Sequence, residues 1–163
     1  MLDRIIRTSD DYAPLVARLV LGIVMFPHGA QKVLGWFGGP GLGGSMQFMH
    51  GMLHVPTLFA VLAITAEFAG SLGLILGLLG RIAAFGIGIE MVVAVGIVHF
   101  TNGFFMNWSG QQKGEGFEFH LLVIALALIV VLKGSGAFSA DRALTRRRDV
   151  GSTPDGGVRR VTV

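Results

Sequence analysis

The chain contains no cysteine among its 163 residues. Thiol–disulfide exchange, thiolate metal sites and iron–sulfur clusters held by its own side chains are therefore excluded. Charge is scarce too: 14% of residues are Asp, Glu, Lys or Arg, against roughly a quarter in soluble domains. Glycine is abundant, at 25 residues, but follows no Gly-X-Y period, so the chain is not collagen-like. Gly39, Gly41 and Gly44 match G-x-G-x-x-G only formally, because no strand precedes them and no βαβ unit can form. A P-loop is also missing.

What is present is apolar. Hydrophobic residues make up 52% of the chain, mean hydropathy is +0.68, and the apolar residues fall in long blocks. Four blocks approach the roughly 20 residues that a bilayer core requires. They run from about Tyr12 to Val33, Pro56 to Leu79, Ile82 to Phe100 and Phe117 to Leu132. The expected fold is all-α: an integral membrane four-helix bundle over residues 1–138, followed by a basic cytoplasmic tail over 139–163. Ser139 is expected to cap one short helix through Leu144, with disorder beyond it. Only Gly80 and Arg81 separate the second and third blocks, which makes those two helices antiparallel neighbours. The first ten residues carry two acids and two arginines, and no small-residue cleavage site ends the first block, so a cleaved signal peptide is not expected.

Lys and Arg placement sets the orientation. Arg4 and Arg7 precede the first block, Arg81 lies in the second–third turn, and Lys133 with six arginines follows the fourth. The other two loops offer only Lys32 and Lys113. Both termini are therefore expected to be cytoplasmic. The outer loops carry Trp36, Phe37, Phe104, Phe105 and Trp108, which suit an aromatic belt, and residues 45–54 read as a short interfacial helix. The basic tail suits anionic lipid rather than nucleic acid.

Ionisable residues inside apolar blocks are costly, by roughly 2.5–3.5 kcal/mol at a helix centre, and so point to partners or function. Arg18 lies in the first block, Glu67 and Glu90 near the midplane, and His28, Lys32, His99, Glu118 and His120 towards the outer side. Together they suggest a polar path entering from outside. Arg18 is expected either to pair with Glu67 or Glu90 or to take part in proton movement. Helical angles limit the set: Glu90 and His99 are nine residues apart and point to opposite sides of an ideal helix, and Glu118 and His120 diverge by about 200°. A quinone hydrogen-bonded by these groups, with a carboxylate relaying protons, is the leading ligand. Haem or a metal ion on His28, His99 and His120 is the lesser alternative, because no helix carries the His-x-x-x-His or Glu-x-x-His spacing of a dedicated site. Interface histidines, a snorkelling lysine and a structural ion pair are the plainer readings of the same residues.

Several stretches, in this order, resemble the DoxX family of small bacterial membrane proteins: RLVLGIVMFPHGAQKVLGWFGGPG, the Glu67-bearing helix ending in LGLLGR, GEGFEFHLL, and KGSGAFSADRAL. The resemblance covers about residues 12–145. It implies a four-helix bundle in the bacterial inner membrane, associated with oxidoreductase systems. One member is a subunit of an archaeal thiosulfate:quinone oxidoreductase, and others are linked to redox and oxidative-stress complexes. The family-type positions are Gly22, His28, Gly29, Lys32, Glu67, Gly70, Glu118 and 136–141. The function expected is that of a membrane subunit of such a system. The lipid bilayer, other oxidoreductase subunits or a second copy would be its partners. A non-catalytic assembly or anchoring subunit, or a small metal- or solute-handling protein, are the alternatives.

Overall fold

The computed structural model describes residues 5–151, and the regular elements among them are helical. Helix α1 (Tyr12–Leu34) starts where the Asp11 carboxylate accepts the Ala13 N–H at 2.9 Å, satisfying one orphan donor of the first turn. It runs unbroken through Pro27 and ends at Gly35, which is left-handed at φ 69°. A 3₁₀ turn (Trp36–Gly38) leads into α2 (Gly41–Met46), which widens into a π-helical turn (Gln47–Met52). This is the short helix expected at 45–54, begun four residues earlier. The Ser45 hydroxyl ties it to the end of α1 by donating to the Lys32 carbonyl at 3.2 Å.

Helices α3 (Thr57–Leu76) and α4 (Gly80–Asn102) follow, then α5 (Glu118–Lys133) and α6 (Ala140–Gly151). Each of the two middle helices contains a π-helical turn, Ala66–Gly70 in α3 and Val95–His99 in α4. The α3–α4 turn is Gly77 to Leu79, not Gly80 and Arg81 as expected, because Gly80 already begins α4. Gly77 has to be glycine twice over: its φ is +68°, and a Cβ there would lie 2.4 Å from Ser139 Cβ.

Three helices, α1, α3 and α4, are long and apolar enough to cross a membrane. The fourth, α5, has 16 residues, about 24 Å at 1.5 Å per residue, short of a bilayer core of about 30 Å. Every long helix also shows apolar side chains outward, among them Ile23, Phe59, Phe85, Val92 and Leu122. Soluble monomers do not expose apolar surface on this scale, whereas lipid accepts it. The inward faces meet in one core: Ala17, Leu21 and Met25 from α1, Leu74 from α3, Ala84, Ile87 and Met91 from α4, and Val123, Ala127 and Val130 from α5. Glycines on α1 let α3 approach closely. A Cβ on Gly29 would fall 2.6 Å from the Phe68 backbone, and one on Gly22 would fall 2.9 Å from the Ser71 carbonyl oxygen.

Ser139 does start the last helix, accepting the Arg142 N–H at 3.2 Å, but the helix runs to Gly151 and not only to Leu144. The disorder expected beyond it falls on 152–163, outside the described residues, as do Arg4, Arg159 and Arg160.

Candidate functional site

The site begins at the outer third of α1. Lys32 Nζ donates to Glu67 Oε2, so a cation at the end of one helix meets a carboxylate near the middle of the next. Glu67 is 3% exposed. It sits in the π turn of α3, pressed against α1 by the Gly29 contact and by the stacked Phe26 and Phe68 rings, 6.0 Å apart. A π turn carries one extra residue per turn and leaves the regular i→i+4 ladder. Here it places Glu67 inward in a helix otherwise apolar from Leu58 to Ile64. Glu90 of α4 stands within hydrogen-bond reach of the Glu67 carboxyl and near Lys32. His28, one turn before Lys32, lies near the same pair and turns its ring towards Phe119, at 6.0 Å.

A second cluster lies beside it. The rings of His99 and His120 are 4.1 Å apart, centre to centre, at 42°. His99 Nδ1 is 2.8 Å from the Glu115 carbonyl, while His120 is 6% exposed and its Nδ1 has no partner. His28 and His99 are the titratable neighbours of His120. On α4, His99 thus meets α5 whereas Glu90 faces Glu67 of α3, and the π turn Val95–His99 changes the winding between them. Beside Lys32 is a cleft of about 290 Å³ whose walls include Gln31, Ser45, Phe48 and Met49. A neighbouring groove of about 320 Å³ between α1 and α3 is apolar, with Val33, Val61, Ile64 and Phe68 in its walls.

The comparisons with known proteins bear on these residues. A family model described as DoxX matches residues 13–100. The chain belongs to the DoxX family. Arg18, His28, Lys32, Glu67, Glu90 and His99 fall within the matched span, and Glu118 and His120 lie beyond it. The inner membrane protein YqjF of Escherichia coli (strain K12) is 30% identical over 139 residues, covering 85% of this chain and 96% of that protein. No solved structure matches. With three helices long and apolar enough to cross a membrane among the described residues, this DoxX-family chain is a multi-pass protein of the bacterial inner membrane.

Two of the expected site residues of this DoxX-family chain do other work. Glu118 turns to the loop between α4 and α5: its Oε1 accepts the Met106 N–H at 2.8 Å and the Trp108 indole N–H at 3.0 Å, so it organises that loop. Arg18 pairs with neither Glu67 nor Glu90. Its guanidinium donates to five backbone carbonyls: Ser135 (2.8 Å), Leu74 (2.8 Å), Ile75 (2.7 Å), Ala137 (3.3 Å) and Phe138 (2.9 Å). It is 1% exposed and staples the inner ends of α1 and α3 to the turn after α5.

Sequence reasoning missed Ser135 and gave Asp141 only as the end of the family-type stretch 136–141; both are buried at that end. Asp141 accepts the Leu79 N–H at 2.8 Å, the Gly80 N–H at 3.1 Å and the Ser135 hydroxyl at 2.6 Å. The expected metal set is not assembled either. Among the described residues no three His, Cys, Asp or Glu side chains gather into a metal-holding group, and the His99 and His120 rings are already in contact, which leaves no room for a haem iron between them.

Proposed function

We propose that α1, α3, α4 and α5 form a four-helix bundle with both termini cytoplasmic, and that the chain is the membrane subunit of an oxidoreductase system. In this reading it holds a quinone or a similar redox molecule near the outer face, where Lys32, Glu67 and Glu90 exchange protons with it. The orientation is supported by Arg7, Arg81 and Lys133 gathering at the Arg18 end, where Arg81 donates to the carbonyls of Val131 and Leu132. The exposed Trp36, Phe37, Phe105 and Trp108 gather at the other end. The observation that carries the ligand reading is a pair of neighbouring carboxyls, Glu67 and Glu90, beside a lysine that also lines a cleft. Two carboxyls within hydrogen-bond reach of each other hold a proton between them that a ligand group can take up. The apolar groove suits an isoprenoid tail, and Lys32, Gln31 and Ser45 in the wall of the cleft suit a ring carbonyl.

The test is to purify the chain in mild detergent and to identify copurifying molecules by mass spectrometry alongside an absorbance spectrum. A bound quinone, lost in Glu90→Gln, is the expected result. Its absence from wild-type protein extracted from quinone-replete membranes refutes the ligand reading.

A second reading has its own observation: Lys32 and Glu67 satisfy each other, as they would in an assembly subunit whose polar residues only hold helices together. Under it, Glu67→Gln lowers the yield of the complex while turnover per assembled complex stays unchanged.

A further inference from the structure

One cation faces the cleft at the end of α1, and its charge is already answered. The cleft and the apolar groove are built by the same two segments. The end of α1 gives Lys32 to one and Val33 to the other, and α2 gives Ser45 to one and Leu42 to the other. Two polar side chains of the cleft are engaged elsewhere: Ser45 Oγ donates to the Lys32 carbonyl at 3.2 Å, and Gln31 Nε2 donates to the Phe37 carbonyl at 3.4 Å. Among the described residues in the groove wall, Thr65 is the polar one. Leu42 and Val61 of that wall are exposed, so the groove opens to lipid.

The Lys32 ammonium is thus the strongest donor that a ligand meets there. It carries three protons and gives one to Glu67 Oε2. The Lys32 side chain is 28% exposed and the Glu67 side chain 4%. A ligand in the cleft therefore reaches ammonium protons, while the carboxylate stays behind them. Lys32 and Glu67 cancel in charge, and Glu90, beside Glu67, adds either nothing or a further negative charge. Among the described residues, no other Lys or Arg stands in the wall of the cleft or of the groove. In surroundings of low dielectric, an ionised ligand without an opposing charge costs far more than in water. An uncharged carbonyl or hydroxyl gives up only its hydrogen bonds to water, and Lys32 replaces one of them.

We infer that Glu67, with Glu90 behind it, sets the specificity of this site: by neutralising Lys32 it admits uncharged, tailed molecules with a carbonyl or hydroxyl oxygen and excludes anions of the same shape. Fatty acids and ionised hydroxyquinones belong to the excluded class. The inference rests on the ligand reading given above and narrows it. It also gives the ion pair a task besides holding α1 to α3. A lysine alone at this place would present a point charge and make the same cleft a carboxylate or phosphate site.

The experiment places the full chain in nanodiscs of zwitterionic lipid at constant neutral pH, with empty nanodiscs as the blank. Two probes of one shape are compared by equilibrium dialysis: an alkylated naphthoquinone, which is neutral, and its ring-hydroxylated derivative, whose acidic hydroxyl is ionised. The wild-type chain should bind the neutral probe at least about tenfold more tightly than the anion. In E67Q/E90Q, Lys32 keeps its charge and neither carboxyl can neutralise it, so the anion should gain at least about tenfold. In K32M the neutral probe should weaken by about tenfold, while the anion binds no worse than to wild type. An anion bound by wild type as tightly as the neutral probe overturns the inference, and so does an E67Q/E90Q chain with wild-type selectivity. Where that double variant yields too little folded protein, K32M decides: an anion weakened as much as the neutral probe shows that the Lys32 charge was open to it, and overturns the inference. Binding of neither probe to wild type overturns the ligand reading and this inference with it, whereas a wrong selectivity overturns this inference alone.

Discussion

Arg18→Met keeps the apolar stem of the side chain and removes all its donors. Five carbonyls then lose a partner, three of them in fully buried bonds, to Ser135, Leu74 and Ala137. A hydrogen bond from a charged donor contributes about 1.5–3 kcal/mol. Three at the lower limit give about 4–5 kcal/mol, near the upper end of what single substitutions cost and comparable with the whole stability of a marginal domain. Arg18→Lys retains the charge but brings three donors from a single point. It cannot reach both the Leu74–Ile75 carbonyls and the Ser135–Phe138 turn, so it recovers less than half of the loss. The assay is unfolding of the purified chain in mixed detergent micelles, followed by loss of helical circular dichroism. The same assay separates the carbonyl staple from the ion pair that the sequence suggested. Arg18→Met and Glu67→Gln are about one-and-a-half to two helical turns apart in packing level and share no partner, so their effects add to within about 0.5 kcal/mol. An Arg18→Met chain within about 1 kcal/mol of wild type, or a marked non-additivity with Glu67→Gln, refutes the reasoning.

Two further outcomes follow from the packing and the outer loop. Gly29→Ala pushes a methyl group into the Phe68 backbone and should cost about 1–3 kcal/mol by overpacking, whereas Gly43→Ala, with open space around it, should change stability by less than about 0.5 kcal/mol; equal effects in the detergent unfolding assay contradict the close approach. Glu118→Gln weakens the acceptor for the Trp108 indole; in a Trp36→Phe background the emission of Trp108 should shift to the red and become more quenchable by acrylamide, while the fold is retained.

The sequence made the helical fold legible because apolar blocks of membrane-spanning length are a coarse signal. It takes no knowledge of packing to see that Tyr12 to Leu34 or Gly80 to Asn102 avoids water. Depth was read in the same way, with His28, Lys32, His99 and His120 towards one end and Glu67 with Glu90 below them; the structure brings His99 to His120 and Lys32 to Glu67. Direction was not. The angle between Glu90 and His99 was computed for a regular helix, and the Val95–His99 π turn changes the winding between them. Nothing in VGIVH marks that turn. Arg18 was assigned a carboxylate partner because charge suggests countercharge; its real partners are carbonyls, which every residue has and which no sequence pattern reveals. Asp141 was marked only as part of the stretch 136–141, and nothing in the sequence showed that two backbone N–H groups at the α3–α4 junction depend on it.

The π turn Ala66–Gly70 also acts as a phase shift within α3. Read as an insertion of one residue into an otherwise α-helical ladder, it sets the outer half of the helix about 100° out of step with the inner half. The outer half must aim Glu67 at Lys32, and the inner half must aim the Leu74 and Ile75 carbonyls at Arg18. Seven residues of a regular helix would also bring Leu74 to within about 20° of Glu67. Because the π turn already holds one residue more than an α turn, it is the place in α3 where a residue can be lost while the ion pair and the arginine staple keep their levels.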